Sequence, residues 1–199
     1  MSQEKEPKIV NQREKIITIA SHLMSQKGYK GASLQEIADL VGIHKSTLYN
    51  YFKNKEELLL AVLRIAIEDV TRNLTLILED ENLPPKEKLK KAIVGHLGSL
   101  AKHIDNVNVY HSEIRFLSGK NRRKYLETRK YYASCFEKII DEIKASDNRY
   151  FKGLDTKIVT YGILGMCNWM AKWFKERGPI KIDSIADIFF KMIMPEDFY

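Results

Sequence analysis

One stretch constrains the fold more than any other, the sequence SLQEIADLVGIHKSTLYNYFKNK over Ser33–Lys55. Ser33 and Glu36 have the S-x-x-E spacing of a capping box, in which the serine side chain caps the first turn of a helix. Apolar residues then recur at helical spacing as far as Gly42, and glycine takes the left-handed conformation that ends a helix without steric cost. A second short helix is predicted over Lys45–Tyr51, so the stretch contains two short helices joined by a tight turn.

The second of these helices has few residues to bury and many polar side chains to present. Leu48 and Phe52 are spaced by four and form its inward-facing pair. Its other positions are mostly residues that donate or accept hydrogen bonds: Lys45, Ser46, Thr47, Tyr49 and Tyr51. This division is typical of the recognition helix of a helix-turn-helix, whose exposed side must reach base edges and phosphates. An ordinary helical hairpin inside another all-α domain is the alternative.

The string IADLVGIHKSTLYNYFKNKEELL closely resembles the DNA-binding region of the TetR family of bacterial transcriptional regulators. The resemblance runs from about Ile9 to Leu60 and is most specific over GIHKSTLYNYFKNKEEL. It implies an all-α protein in which a three-helix DNA-binding domain is followed by a larger helical domain that binds a ligand and forms a dimer. It also implies ligand-controlled binding to double-stranded operator DNA, with repression as the expected outcome.

The same resemblance implies which side chains contact DNA. Thr47 and His44 are expected to reach base edges, and Ser33 is expected to contact the DNA backbone in addition to capping its helix. Phosphates are the expected partners of three residues, Tyr49, Tyr51 and Lys55. The whole set of expected DNA-contacting residues is Ser33, His44, Lys45, Ser46, Thr47, Tyr49, Tyr51 and Lys55.

The charge of the chain agrees with a polyanionic partner. The net charge of the 199 residues is +7, and residues 1–55 contain 9 Lys/Arg against 5 Asp/Glu, which is +4 of that total. Cations that bind DNA phosphates release condensed counterions, and this release drives association.

Other classes of function find no support in the sequence. No GxSxG, HExxH or phosphate-cradling glycine loop is present, so an enzyme is not expected. His96, His103 and His111 do not have the spacing of a metal-binding motif, so no metal and no cofactor are expected. Cys135 and Cys167 form no CxxC pair and are expected to be reduced thiols in the cytoplasm. The chain lacks a signal-peptide core and an apolar stretch of ~20 residues, so no membrane partner is expected.

Helical periodicity continues through the rest of the chain and suggests two domains. Residues 1–54 are predicted to form the helix-turn-helix domain, with an amphipathic first helix over Lys8–Lys27. A long connector helix follows the cap at Asn54 and runs to about Leu78, and further helices bring the total to about nine. Residues 55–199 are therefore predicted to be a helical effector-binding and dimerisation domain.

The last two predicted helices are apolar on nearly every side. Large apolar residues face all directions between Ile158 and Phe174, and Ile185–Ile193 has the same character. A helix of this kind must be buried all round, and a second subunit achieves this most easily. A dimer also suits DNA, because half-sites lie ~34–36 Å apart along one face. The prediction is a homodimer joined as a four-helix bundle; a well-buried monomer core is the alternative.

The second half of the chain resembles one subgroup of the family. EIRFLSGKNRRKYLETRKYYASCFEKII and YGILGMCNWMAKWFKERG are similar to acyl-CoA-responsive repressors of fatty-acid metabolism, over about Glu113–Met194. The resemblance implies an acyl chain in an apolar tunnel and a CoA head against polar and basic groups. The expected ligand-binding residues are Arg115, Arg122, Arg129, Tyr132, Asn168, Trp169 and Trp173, with Arg123 and Lys130 as further cations.

Other interpretations of this half stay open. The same aromatic residues could be plain core, and the same cations a solvated face. An aromatic or cationic effector would indicate a regulator of a drug efflux gene, and a buried acidic residue would favour that. A solid core would favour an architectural DNA-binding protein with no effector. Gly162 and Gly165 lie inside a predicted helix, where each costs ~1 kcal/mol relative to alanine, so a helix backbone or a ligand is expected to approach them.

Overall fold

The computed structural model describes residues 5–175 and 178–195. Within these ranges all regular structure is helical, with nine α-helices and two short 3-10 helices, Ile114–Phe116 and Met170–Lys172. This confirms the all-α prediction. The α-helices in chain order are α1 (Lys5–Gly31), α2 (Leu34–Val41), α3 (Lys45–Tyr49), α4 (Lys55–Glu79), α5 (Pro85–Lys102), α6 (Ile104–Glu113), α7 (Gly119–Ser146), α8 (Thr156–Trp169) and α9 (Ile182–Ile193).

The helix-turn-helix forms as the local signals predict. α2 buries its apolar face against α1, and Gly42 ends it with φ 81° and ψ 36°, the left-handed conformation. The Gly42 N–H donates to the Ala38 carbonyl oxygen at 3.0 Å, which satisfies a carbonyl that the helix end leaves open. Leu48 of α3 is fully buried and Phe52 is 3% exposed, so the predicted inward-facing pair is confirmed.

The helix caps form with different partners from those of an ideal capping box. The Ser33 hydroxyl accepts from the Glu36 N–H at 3.0 Å, as predicted, but the Glu36 carboxylate pairs with Lys27. At the start of α4 the Asn54 side chain accepts from the Glu57 N–H at 2.8 Å. The Glu57 carboxylate in turn accepts from the Lys53 N–H. α2 and α4 therefore each keep the predicted N-cap. The carboxylates of Glu36 and Glu57 bind other groups than the backbone N–H of the N-cap residue.

Contacts divide the chain into two compact units. The first unit contains the described residues up to Ala66 together with Asp105–Leu126. The second unit contains Ile67–Ile104 and the described residues from Glu127 onward. The helix-turn-helix therefore shares its unit with α6 and with the first turns of α7. A functional boundary at residue 54 stays a prediction from the sequence.

In the second unit α5 packs against both α8 and α9. The core of this unit includes Leu89, Ile93, Leu97, Phe136, Ile139, Ile140, Ile163 and Ile185. α8 ends at Trp169 and passes into a 3-10 helix, so it is shorter than the apolar pattern to Phe174 suggested. All-round burial is also absent within one chain, because α8 and α9 each keep an exposed apolar face. Among the described residues, no helix is both long and apolar enough to cross a bilayer.

Candidate functional site

The first candidate site is the outer side of α3. Leu48 fixes the helix to the core of the first unit, and the residues on the other side remain accessible. His44 stands at the N-cap with extended backbone, which presents its side chain ahead of the helix. The expected DNA-contacting residues His44, Lys45, Ser46 and Tyr49 are exposed, whereas Thr47 and Tyr51 are half-buried. The site therefore combines a fixed backbone with accessible hydrogen-bonding groups, as reading of base edges requires.

Lys55 lies at the start of α4 and packs against an aromatic ring. Its Nζ is 4.7 Å from the centroid of the Tyr29 ring and donates to the Lys30 carbonyl oxygen at 3.3 Å. Burial lowers the pKa of Lys55 from its ordinary value. Ser33, at the N-cap of α2, is exposed while its hydroxyl oxygen accepts from the helix. Both residues lie in the same unit as α3.

Hydrogen bonds attach the connection between α6 and α7 to the helix-turn-helix unit. The Glu56 carboxylate accepts from the Ser118 N–H at 3.0 Å and from the Asn121 amide at 2.9 Å. The Ser118 N–H and the Asn121 amide lower the pKa of Glu56, in that order of size. The Tyr29 N–H donates to the buried Glu113 carboxylate at 3.0 Å. Sequence reasoning did not predict these contacts.

Two further contacts extend this attachment along α6. The His22 ring nitrogen Nδ1 lies 3.0 Å from the Asp105 carboxylate. The buried Asn106 amide donates to the Val62 carbonyl oxygen at 2.7 Å. α6 is therefore bonded to both α1 and α4 within the first unit.

The second candidate site is a polar network in the core of the second unit. His96 lies 2.7 Å from the Tyr132 hydroxyl through Nδ1 and 3.1 Å from the Asn168 oxygen through Nε2. An amide oxygen only accepts, so His96 donates from Nε2 and accepts at Nδ1 from the tyrosine hydroxyl. The pKa of His96 is lowered to about 4, chiefly by burial; the hydrogen bond to Asn168 opposes this shift, and the Arg129 charge adds to it. The ring is therefore neutral at pH 7.

Two more polar groups lie among the apolar residues of this unit. Thr160 is fully buried, and its hydroxyl makes no hydrogen bond to any described residue. It precedes Asn168 by eight positions on α8, which places both on one face of the helix. Arg129 is half-buried, and burial lowers the pKa of its guanidinium. A buried hydroxyl without a partner costs ~1–3 kcal/mol, so a polar partner for the Thr160 hydroxyl would be stabilising.

The structure separates the residues that were expected to bind a ligand. Tyr132 and Asn168 meet through His96, and Arg129 belongs to the same unit. Arg115 and Arg122 are exposed and belong to the first unit. The expected aromatic contacts, Trp169 and Trp173, are 66% and 42% exposed. The spacing of His96 relates it only to His103 and His111 as a candidate metal ligand, and no signal in the sequence links it to α7 and α8.

Two protein-family models match this chain, one over the helix-turn-helix and one over the C-terminal part. Residues 16–62 match the family model described as bacterial regulatory proteins, tetR family. Residues 82–195 match the model described as tetracyclin repressor-like, C-terminal domain. The chain belongs to the TetR family. This TetR-family member is therefore a DNA-binding transcriptional regulator, of a family whose members bind operator DNA and small-molecule effectors.

Individual relatives cover three quarters or more of this TetR-family chain. The HTH-type transcriptional repressor KstR2 of Mycolicibacterium smegmatis is 25% identical over 186 residues, which is 92% of this chain and 89% of that protein. The fatty acid metabolism regulator protein of Bacillus subtilis is 29% identical over 153 residues, which is 75% and 76% of the two chains. The crystal structure of AibR in complex with isovaleryl coenzyme A and operator DNA has a TM-score of 0.79 at 26% identity, covering 92% of this chain and 98% of AibR.

Proposed function

We propose that this TetR-family regulator is a repressor that binds operator DNA as a homodimer and leaves it when a fatty acyl-CoA binds the second unit. In a bacterium it would act in the cytoplasm, where the DNA is. The observation that carries the proposal is the exposed polar side of α3, held on the buried residues Leu48 and Phe52. A helix fixed in this way can enter the major groove without losing its packing.

Within this proposal α3 supplies the sequence readout and its neighbours supply the backbone contacts. Thr47 and His44 stand at the start of α3, where a recognition helix meets base edges. Tyr49, Tyr51 and Lys55 would bind phosphates through their hydroxyl and ammonium groups. Lys45 and Ser46 are exposed on the same helix and would add contacts at its first turn.

The dimer would form through the exposed apolar faces of α8 and α9. On α8 three large residues recur along one face, Ile158, Tyr161 and Trp169, with exposures of 73%, 50% and 66%. Gly162 and Gly165 lie on that face, and a Cβ added at either would meet no described atom within 4 Å apart from the neighbouring residues and backbone of its own helix. Helical glycines in open space leave room for the close approach of a second helix. α9 has exposed apolar residues of its own, Ile188 and Met192, with exposures of 56% and 67%.

The effector would bind against the polar network of the second unit. KstR2 is a repressor by name, the Bacillus subtilis relative is named for fatty acid metabolism, and AibR was crystallised with isovaleryl coenzyme A. In this chain Arg129 offers a cation, and Tyr132, Asn168 and Thr160 offer hydrogen bonds to an amide, carbonyl or phosphate group. The described part of the second unit has no buried carboxylate, which favours an anionic or neutral effector over a cationic drug.

Helix α7 offers a direct route from effector to DNA. The chain passes between the units within α4, at Ile104–Asp105 and within α7. Asn121 in the first turns of α7 bonds to Glu56 beside the helix-turn-helix, and Tyr132 on the same helix belongs to the network of His96. An effector that prefers a shifted position of α7 would change the position of the attached helix-turn-helix.

The proposal is tested with duplex DNA that the purified protein selects from a random-sequence pool. We expect Tyr49→Phe to weaken binding to all sequences alike, and Thr47→Ala to change sequence preference by ~1–3 kcal/mol at one position. A Tyr49→Phe variant that changed only the sequence preference, without weakening binding to all sequences, would contradict these assignments.

The effector is tested by titrating acyl-CoAs of several chain lengths into the complex with DNA. Acyl-CoA should release the wild type, whereas Asn168→Ala should keep DNA binding and lose release. Asn148→Ala, at an exposed position, is the matched control and should behave as the wild type. Release of the Asn168→Ala variant at the wild-type acyl-CoA concentration would argue against this effector site.

A further inference from the structure

A cluster of exposed cations lies in the helix-turn-helix unit, away from α3 in sequence. Residues 114–126 contain five Lys/Arg and no Asp/Glu. The five cations, all exposed, are Arg115, Lys120, Arg122, Arg123 and Lys124, and we call them the α7 basic surface. Among the described residues, none forms an ion pair with Arg115, Lys120, Arg122 or Arg123. Their charge is therefore available to an external anion.

The fold concentrates positive charge in this unit far more than the linear sequence suggests. Residues 1–66 and 105–126 contain 15 Lys/Arg and 9 Asp/Glu, a net charge of +6 out of +7 for the chain. The rest of the chain contains 18 Lys/Arg and 17 Asp/Glu, a net charge of +1. Acidic residues in the 105–126 segment are only Asp105, which lies against His22, and Glu113, which is buried.

The α7 basic surface is held beside the start of α4. Glu56 accepts from Ser118 and Asn121, which flank Lys120 in sequence, and Glu56 itself follows Lys55. The interaction holds the first turn of α7 against the helix end at which Lys55 is expected to bind phosphate.

A stacked aromatic pair links the start of α4 to the α7 basic surface. The rings of Tyr29 and Phe116 stack with centroids 5.0 Å apart. Lys55 lies over Tyr29 at 4.7 Å, and Arg115 lies over Phe116 at 5.1 Å. Lys30 also lies over Phe116, at 5.6 Å. Cations from three segments therefore share one aromatic support, which makes the basic surface continuous from Lys55 to Arg115.

We propose that the α7 basic surface is a second DNA-backbone contact, which binds phosphates outside those held by the recognition helix and its flanks. The proposal rests on the DNA-binding function proposed above. The partner is a duplex rather than the effector, because these cations are exposed and lie in the unit that carries the helix-turn-helix, and because Arg115, Lys120, Arg122 and Arg123 form no ion pair with a described acid. Contacts of this kind add affinity on any sequence and make binding steeply dependent on salt.

The test compares Arg122→Gln/Arg123→Gln with the wild type by fluorescence anisotropy, on the selected operator and on a random duplex of equal length. Log K falls as log salt rises, and each lost phosphate contact makes this slope shallower by about 0.9. Loss of two contacts should make the slope shallower by about 1.8. The fold-decrease in affinity between 50 and 200 mM salt should therefore be about 12 times smaller for the variant than for the wild type. The change should be the same on both duplexes.

Two control variants isolate the effect of charge at this place. Lys138→Gln/Lys152→Gln removes two exposed charges from the second unit and should keep the wild-type slope. Arg122→Lys/Arg123→Lys keeps the charge and should restore most of the slope. Thermal melting of each variant reports that the exposed substitutions leave folding unchanged.

The outcomes separate this inference from the proposed function. A wild type that ignores both duplexes overturns both. A wild type that binds with a steep slope, together with a glutamine variant of the same slope, overturns only the α7 basic surface. A glutamine variant with the wild-type slope that no longer responds to acyl-CoA also overturns it, and would assign Arg122 and Arg123 to the effector.

Discussion

The exposed face of α8 allows a quantitative prediction for Ile158→Ala. Ile158 is 73% exposed in one chain. Full burial of an isoleucine side chain is worth ~1.5–3 kcal/mol, so covering the exposed part contributes about 1–2 kcal/mol per protomer. A two-fold interface contains the residue twice, which gives about 2–4 kcal/mol per dimer. The dimer dissociation constant should therefore rise roughly 30- to 700-fold.

Sedimentation velocity over nanomolar to micromolar protein measures this dissociation constant directly. Leu76→Ala is the matched control, because Leu76 is 63% exposed but lies on α4 rather than on α8 or α9. The control should leave the dissociation constant unchanged. Equal effects of the two substitutions, or a wild type that is monomeric at micromolar concentration, would refute the assignment of this face to the dimer.

Three further predictions concern the core, a turn and a buried titratable group. Leu48→Ala removes a fully buried side chain beneath α3 and should lower the free energy of unfolding by about 2–5 kcal/mol in urea titrations; a loss below ~1 kcal/mol would contradict its role as the anchor of α3. Gly42→Ala should cost ~1–2 kcal/mol because φ is 81°, whereas Gly98→Ala, inside α5, should gain up to ~1 kcal/mol; equal effects would show that backbone strain at the turn is unimportant. Burial lowers the pKa of His96 from 6.5 to about 4, so the free energy of unfolding should fall by about 3 kcal/mol as pH drops from about 6.5 to about 4. Unfolding of His96→Gln should lack this part of the pH dependence, and identical pH profiles for the two proteins would disprove it.

Short-range signals were sufficient for the helix-turn-helix. The Ser33 cap, the Gly42 turn and the Leu48–Phe52 pair each depend on residues within four positions of one another. Helix periodicity and capping act over this range, so the sequence alone predicts the elements and the buried side of α3. The all-α fold and the TetR family follow from the same local information, as the family comparison shows.

The surroundings of that element depended on contacts between distant residues. Glu113 meets Tyr29 across 84 positions, and Glu56 meets Ser118 across 62. His96 meets Tyr132 across 36 positions and Asn168 across 72. No periodicity relates such pairs, because helix packing rather than helix formation brings them together.

What the sequence determined and what the tertiary structure decided differ because the first depends on nearby residues and the second on distant ones. The amino-acid sequence by itself determined which segments become helices, which side of each is apolar and which side chains α3 presents. Only the tertiary structure decided that α6 and the first turns of α7 join the helix-turn-helix, and it thereby placed Arg115 and Arg122 with that unit and His96 with α7 and α8. Local propensity selects backbone conformation residue by residue, whereas the pairing of faces is chosen by burial and hydrogen bonding over the whole chain.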